Sequence, residues 1–89
     1  MAAVTYTDGT IREHISGESK IVFWQSPATM DSADTVVLPT ITGKTPVVIQ
    51  CKDLDDDTVA TATLSTQTVT IDAAGATTDH TYFLEYTYI

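Results

Sequence analysis

The sequence is poor in cysteine and in basic residues, and both shortages exclude classes of protein. Cys51 is the single cysteine, so the chain cannot form the internal disulfides that hold small secreted scaffolds together. Four basic residues stand against twelve acidic ones, which gives a formal net charge of −8. Because nucleic-acid binding depends on contacts between cationic side chains and phosphates, a nucleic-acid partner is not expected.

Long apolar runs are also missing. No stretch approaches the roughly 20 apolar residues that a membrane-spanning helix needs. Residues 1–9 carry neither the basic cluster nor the apolar run of a signal peptide. We therefore expect either a protein that is made and assembled inside a cell or a mature fragment of something longer, and in both cases no membrane partner.

Threonine is the abundant residue, and it decides the fold class. It fills 18 positions, and with Val, Ile, Tyr, Phe and Trp the strand-favouring residues reach 40 of 89. β-branched and aromatic side chains fit a pleated, half-buried surface, so the composition predicts an all-β protein. A chain of this length has room for one hydrophobic core. We expect a small antiparallel β-sandwich or short barrel of six to seven strands.

Short β-rich runs separated by turn-forming residues mark the expected strands. Residues 1–19 contain only a weak strand and are expected to be an N-terminal arm or a first strand, whereas residues 20–89 form the sandwich domain. Residues 46–52 are apolar throughout, which favours a central strand covered on both faces. The next two strands are expected to form a hairpin with a tight turn at Ser65 and Thr66. The predicted strands are 3–7, 20–25, 34–38, 46–52, 58–64, 67–72 and 80–88.

The negative charge is concentrated in the second half of the chain. Residues 53–89 hold seven carboxylates and no Lys or Arg, and Asn is absent from the whole sequence. At molar salt the Debye length is about 3 Å, so the self-repulsion of such a chain would be screened. The composition is therefore typical either of a protein adapted to high salt or of an ordinary acidic β-domain.

The acidic run after residue 52 resembles the opening of a calcium-binding loop. Asp53, Asp55 and Asp57 alternate as the first ligands of such a loop do. The sixth position would be Thr58 where the loop requires glycine, and the twelfth would be Leu64 where it requires glutamate. These three aspartates are weak cation candidates, and a solvated turn is the competing interpretation.

No other motif for catalysis or for a cofactor is complete. Residues 42–45 resemble the end of a phosphate-binding loop, but Pro46 opens a strand where that motif requires a helix. His14 and His80 lack the spacing of a zinc site. Cys51 lies in the most apolar strand, where a buried and inert thiol is expected. The sequence predicts no enzyme activity, no cofactor and no metal.

The aromatic residues are the best candidates for a partner interface. Trp24 and Phe23 lie at the end of a predicted strand, before a loop that contains proline. In the last strand Tyr82, Tyr86 and Tyr88 share one face, because side chains alternate along a strand. Aromatic side chains are common in subunit interfaces, although packing within the core is the competing interpretation. A domain this small has modest stability of its own, so we also expect a homo-oligomer.

The second half of the chain resembles small virion structural proteins of tailed viruses. The likeness covers residues 34–89: an apolar strand (PVVIQCK), an Asp-rich turn, the segment TVATATLSTQTVTI, a loop of small residues and a final strand rich in Thr and Tyr. Such proteins decorate or cement the outer surface of an icosahedral head. Threonine-rich β-domains of tail tubes, fibres and surface layers share much of the pattern.

The resemblance implies a non-enzymatic subunit of the virion that binds the major capsid protein and stabilises the head. It would be assembled in the host cytoplasm and lie on the capsid surface. Either one face of the sandwich or the N-terminal arm would dock on the shell. The alternative is a receptor- or glycan-binding β-domain of a tail fibre or cell-surface protein, with Trp24 or the C-terminal tyrosines as a stacking platform.

Overall fold

The structure, a computed structural model, describes residues 3–16, 19–72 and 78–89 and is all-β, as predicted. No helix in these ranges is long and apolar enough to cross a membrane. Most of the predicted loop at 73–79 lies outside the described residues. The described residues form nine strands, more than the six to seven predicted, because the strand Thr10–Ser16 was not predicted and the predicted strand at 58–64 is divided into two. The strands are β1 (Ala3–Val4), β2 (Thr10–Ser16), β3 (Ser19–Gln25), β4 (Asp34–Val37), β5 (Pro46–Asp53), β6 (Thr58–Val59), β7 (Thr61–Ser65), β8 (Thr68–Asp72) and β9 (Tyr82–Tyr88).

The strands form two sheets that pack as a small sandwich. The four-stranded sheet has the order β1-β4-β8-β7, and the five-stranded sheet has the order β2-β3-β9-β5-β6. All neighbouring strands are antiparallel except β1 and β4, which are parallel. The C-terminal strand β9 therefore lies at the centre of the larger sheet, between β3 and β5.

The core forms where the inner faces of the two sheets meet. Side chains alternate across each strand, so every second residue points inward. On β9 Tyr82, Leu84 and Tyr86 share one face, as the sequence pattern predicted, and that face is buried. The four-stranded sheet contributes Val36, Val69 and Ile71, and β3 contributes Val22 and Trp24; all are fully buried.

The residues of β5 do not lie in a strand covered on both faces, so that prediction is wrong. Val47 and Ile49 are 37% and 49% exposed, because one side of β5 faces solvent. The pairing with β9 also shifts register between Val48 and Gln50, which marks a β-bulge. An apolar run does not by itself distinguish a central strand from one near a sheet edge.

The predicted strand at 58–64 is divided between the two sheets. The chain leaves β6 at the buried Ala60, whose N–H donates to the carbonyl of Cys51, and enters β7 in the other sheet. The hairpin of β7 and β8 is present as predicted. Its turn consists of Thr66 and Gln67, one residue later than expected, and Thr66 adopts a left-handed φ of 57°.

The N-terminal residues 3–16 are part of the sandwich. They form β1, a short 3-10 turn (Tyr6–Asp8) and then β2, which pairs with β3 along its whole length. Tyr6 stacks on Trp24 with the ring centroids 6.0 Å apart, and its hydroxyl lies 2.7 Å from that of Tyr86. The sequence left both an arm and a first strand open for this segment, and its described part supplies a strand to each sheet.

Candidate functional site

The two outer faces of the sandwich differ in their chemistry. On the four-stranded sheet, the register places Thr35, Thr70 and Thr63 in one row across three strands. A second row contains Val37, Thr68 and Ser65. We call this surface the threonine face; its outward residues are Thr35, Val37, Thr61, Thr63, Ser65, Thr68, Thr70 and Asp72.

The outer face of the five-stranded sheet carries aromatic and aliphatic side chains. Phe23 on β3 and Phe83 on β9 stack at its centre, with ring centroids 5.7 Å apart and an interplanar angle of 24°. Because their strands are adjacent, the two rings form one continuous apolar surface. We call this surface the aromatic face; its outward residues are Thr10, Arg12, His14, Ile21, Phe23, Gln25, Val47, Gln50, Lys52, Val59, Phe83, Glu85 and Thr87.

The aromatic face carries three formal charges, on Arg12, Lys52 and Glu85, and within the described part of the chain only Lys52 is in an ion pair. Lys52 donates to Asp57 at 3.0 Å, and the side-chain amide of Gln50 donates to Glu85 at 2.7 Å. Arg12 forms no ion pair among the described residues. It borders an open depression of about 710 Å³ that is also lined by Phe23 and Phe83. Such a surface can bury apolar groups of a partner while a guanidinium binds a carboxylate at the rim.

Three of the five predicted interface residues are in the core. Trp24 and Tyr82 are fully buried and Tyr86 is 1% exposed, because they occupy the inward positions of β3 and β9. They therefore stabilise the fold and present no surface to a partner. Phe23 is half-buried on the aromatic face, and Tyr88, which is partly exposed at the end of β9, donates to the carbonyl of Pro39.

Phe83 is the surface aromatic that sequence reasoning missed. The alternation of β9 placed it on the face opposite to the tyrosines, so its direction was predictable. Both faces of β9 are apolar or aromatic, however, and nothing in the sequence distinguishes the inner face from the outer one. The structure resolves this because the tyrosine side of β9 faces the four-stranded sheet.

The acidic run folds into a tight turn around a buried carboxylate. Asp53 is fully buried, and its Oδ1 accepts hydrogen bonds from the backbone N–H groups of Asp55 and Asp56 at 3.1 and 3.4 Å. Its Oδ2 lies 2.8 Å from Nδ1 of His80, so the two residues form an ion pair when the imidazole is protonated.

The surroundings of this pair shift the pKa of both groups. Burial alone would raise the pKa of Asp53, but the hydrogen bonds from His80, Asp56 and Asp55 outweigh it, and the pKa is lowered. The pKa of His80 is raised, first by its hydrogen bond to Asp53 and then by the nearby carboxylates, against the opposing effect of burial. Each partner therefore favours the charged form of the other.

The three aspartates predicted as weak cation ligands do not converge on one point. Asp55 accepts a hydrogen bond from the backbone N–H of Thr81, while Asp57 pairs with Lys52. A different set, Asp53, Asp56 and His80, has side-chain ligand atoms within 4.8 Å of one another. The Asp53–His80 hydrogen bond already uses the atoms that a metal ion would need, so the turn is explained by the ion pair.

The remaining sequence motifs are structural. Cys51 is buried, and desolvation, with the nearby charge of Asp53, raises its pKa to about 12, which leaves the thiol unreactive at neutral pH. Residues 42–45 form a turn in which Gly43 adopts a φ of 77° and the N–H of Lys44 donates to the carbonyl of Ile41. A strand follows this turn, so it does not form a phosphate-binding loop.

Comparison with known proteins gives no relative: no family model, no curated protein and no solved structure matches this chain.

Proposed function

We propose that this protein is a non-enzymatic structural subunit of a virus particle, which docks through its aromatic face on the outer surface of an icosahedral head. The major capsid protein is its partner, and the capsid surface is its location. The observation that carries the proposal is the difference between the two outer faces. One carries mostly threonine and serine hydroxyls, with Val37 and Asp72 among them, and the other has a stacked phenylalanine pair with Ile21, Val47 and Val59 around it.

The distribution of charge supports the same orientation. The Asp-rich turn at 53–57 leaves the five-stranded sheet at one end of the sandwich, whereas the aromatic face carries Arg12 and Lys52 against Glu85 and is therefore not acidic. A docked aromatic face would leave this turn and the threonine face in water. The exposed acidic groups would then keep neighbouring particles apart by like-charge repulsion.

The large number of copies on one head would supply the strength with which the protein is attached. One copy would dock a small, partly polar surface, which corresponds to a weak contact. Many copies on a closed lattice, each bridging neighbouring capsid subunits, reinforce one another without any new kind of contact. The high negative charge also fits a particle from a saline environment, where salt screens repulsion between the copies.

The absence of enzyme activity is part of the proposal. The groups that could act as nucleophile or base have other roles among the described residues. The thiol of Cys51 is buried with a raised pKa, and the imidazole of His80 is paired with Asp53. His14 lies on the exposed strand β2 and forms no ion pair within the described ranges.

A second candidate function is glycan binding by a fibre or cell-surface domain. The observation that favours it is Arg12, which lies beside the phenylalanine rings and forms no ion pair with any residue that the structure describes. Aromatic rings can stack on sugar rings, and a guanidinium can bind an acidic substituent. The platform would then be Phe23 and Phe83, since Trp24 is buried. Copy number separates the candidates: a decoration protein is present in hundreds of copies per particle, and a fibre tip in tens at most.

A matched pair of substitutions tests the docking face. Val47 on the aromatic face and Val37 on the threonine face are both exposed strand residues, at 37% and 56%. Val47→Glu would place a charge in the proposed contact, whereas Val37→Glu would place the same charge in water. Binding is measured by co-sedimentation with undecorated heads assembled from the capsid protein of the same genome. We expect the Val47 variant to lose binding and the Val37 variant to keep it; the reverse result, or equal binding by both, contradicts the proposal.

A further inference from the structure

The outer edge of β2 is an open strand edge. No strand pairs with it among residues 3–16, 19–72 and 78–89. The strand is seven residues long, and its register with β3 continues without a bulge. An exposed edge of this kind presents a row of backbone donors and acceptors to another strand.

The other edges of the sandwich are better protected. β1 and β6 contain two residues each, so they offer little backbone for pairing. β5 extends beyond β6, but it contains a bulge and begins with Pro46, which has no backbone donor. β7 is five residues long and bends into β6 at the buried Ala60. Of these edges, β2 is therefore the most open to pairing with a strand of another molecule.

The inward face of β2 is also uncovered. Ile11 and Ile15 lie opposite Trp24 and Lys20 in the register, on the side that faces the other sheet. They are nevertheless 39% and 66% exposed. Five strands face four, so β2 extends beyond the four-stranded sheet. The strand therefore offers two exposed isoleucines together with its free backbone.

We propose that two copies of this chain pair through β2, antiparallel, about a two-fold axis at Glu13. The pairing joins the two five-stranded sheets into one sheet of ten strands. This interface does not require attachment to a capsid; it deepens the proposed function only by naming a second partner, another copy of the chain.

The distribution of charge favours a second copy of the chain as the partner and an antiparallel arrangement of the two β2 strands. Residues 10–25 contain two basic and two acidic residues, so the paired segments are neutral even though the chain carries −8. The register places Thr10 opposite Gln25, at the same end of the sheet as Asp53, where the Asp-rich turn begins. Antiparallel pairing sends the two acidic ends to opposite ends of the dimer. Parallel pairing would place them side by side.

The register about Glu13 matches the exposed isoleucines. In an antiparallel pair centred on this residue, Ile11 of each copy lies opposite Ile15 of the other copy, and all seven residues of the strand are paired. Arg12 lies opposite His14 on the outer side. Glu13 lies opposite its own equivalent, which is the unfavourable contact in the interface, although each carboxylate has Lys20 of its own chain at 3.1 Å.

The two-fold axis has a consequence for docking. An axis perpendicular to the sheet keeps the outer faces of both copies on the same side. The two aromatic faces would then form one continuous surface. If the proposed function is correct, the dimer docks with two equivalent faces at once, and avidity exceeds the affinity of one copy.

The test is the mass of the free protein in solution, measured by sedimentation equilibrium over a range of concentrations. We expect a concentration-dependent species of twice the 9.6 kDa of the chain. Ile15→Lys should raise the dissociation constant by about tenfold or more, because it replaces an apolar cross-strand pair with a charge. Ile49→Lys, at the exposed bulge of β5, is the matched control and should leave it unchanged. Glu13→Gln should lower the dissociation constant about two- to fivefold by removing the like-charge pair.

Two results would overturn this interface. One is a protein that stays monomeric up to millimolar concentration. The other is a dimer that Ile15→Lys leaves intact or that Ile49→Lys disrupts. These outcomes are independent of the docking function, because no capsid is present in the experiment. A monomer that still decorates heads would overturn the interface alone, and a dimer that does not bind heads would overturn the docking function alone.

Discussion

Gly9 is the residue at which a single methyl group should disturb the structure most informatively. A Cβ atom built there would lie 2.5 Å from the carbonyl oxygen of Gln25 and 2.8 Å from Cε2 of Trp24, with Nε1 of the same ring closer still. Neither neighbour can move freely, because one is backbone and the other is a fully buried indole. Nε1 of Trp24 also donates to the carbonyl of Tyr6 at 2.8 Å.

Gly9→Ala should therefore destabilise the protein in two ways. Overpacking at a buried site costs about 1–3 kcal/mol. Displacing the indole from Tyr6 leaves a buried N–H group unpaired, which costs about 1–3 kcal/mol more. The combined loss of about 2–6 kcal/mol is a large part of the stability of a small domain and should lower the melting temperature by roughly 10 °C or more.

The assay is urea unfolding followed by tryptophan fluorescence. Trp24 is the single tryptophan, so its emission reports directly on the disturbed site. Gly43→Ala is the matched control, because Gly43 has a φ of 77° and no atom lies within 4 Å of the position that an added Cβ would take. Gly43→Ala should lower the free energy of unfolding by about 1 kcal/mol through backbone strain alone and leave the native emission spectrum unchanged. A Gly9→Ala variant with wild-type stability and emission would refute the packing that we describe around Trp24.

Three further predictions concern ionisable groups. Because folding raises the pKa of His80, this residue stabilises the protein fully below pH 6.5, and the stabilisation is lost as the pH rises through the raised pKa. Because folding lowers the pKa of Asp53, this residue stabilises the protein fully above pH 3.8, and the stabilisation is lost as the pH falls through the lowered pKa. The melting temperature should therefore be highest between pH 3.8 and pH 6.5. His80→Gln should remove the decrease in melting temperature above pH 6.5, and a decrease that persists in this variant contradicts the role given to the Asp53–His80 pair. Cys51 should react with a thiol reagent at about pH 8 only when the chain unfolds, so rapid labelling of the native protein would show that the thiol is accessible. KCl should raise the melting temperature, because salt screens the self-repulsion of a chain with a net charge of −8. A melting temperature that does not change with KCl removes the argument for a saline source.

Local patterns predicted most of the strands. β3, β4, β8 and β9 correspond to β-rich runs of the sequence, and prolines follow shortly after β3 and β4. Alternation along β9 correctly grouped Tyr82, Leu84 and Tyr86 on one face. These features depend on neighbouring residues only, so the sequence contains them explicitly.

The features that sequence reasoning missed depend on distant residues. β2 contains Arg12, Glu13 and His14 in succession, so it has no apolar alternation, and it is a strand because β3 pairs with it. The division at Ala60 reflects the geometry of a corner between two sheets. The ion pair of Asp53 and His80 joins residues 27 positions apart, and no local pattern links them.

The candidate docking surface was only half predictable. The sequence identified aromatic residues near the ends of strands as interface candidates. It could not separate the buried Trp24 and Tyr86 from the partly exposed Phe23 and Phe83, because all four side chains are aromatic. Which of them face solvent depends on the side of the five-stranded sheet that the other sheet covers. That choice is made by the packing of the whole domain, so the aromatic face emerges only from the assembled sandwich.

The most direct test of the proposed capsid function is a cryo-electron microscopy reconstruction of virus particles whose genome encodes this chain. We predict density for the chain in hundreds of copies on the outer surface of the head, with Phe23 and Phe83 against the capsid protein and the threonine face in solvent. A head without this density, or density with the threonine face against the shell, would contradict the account.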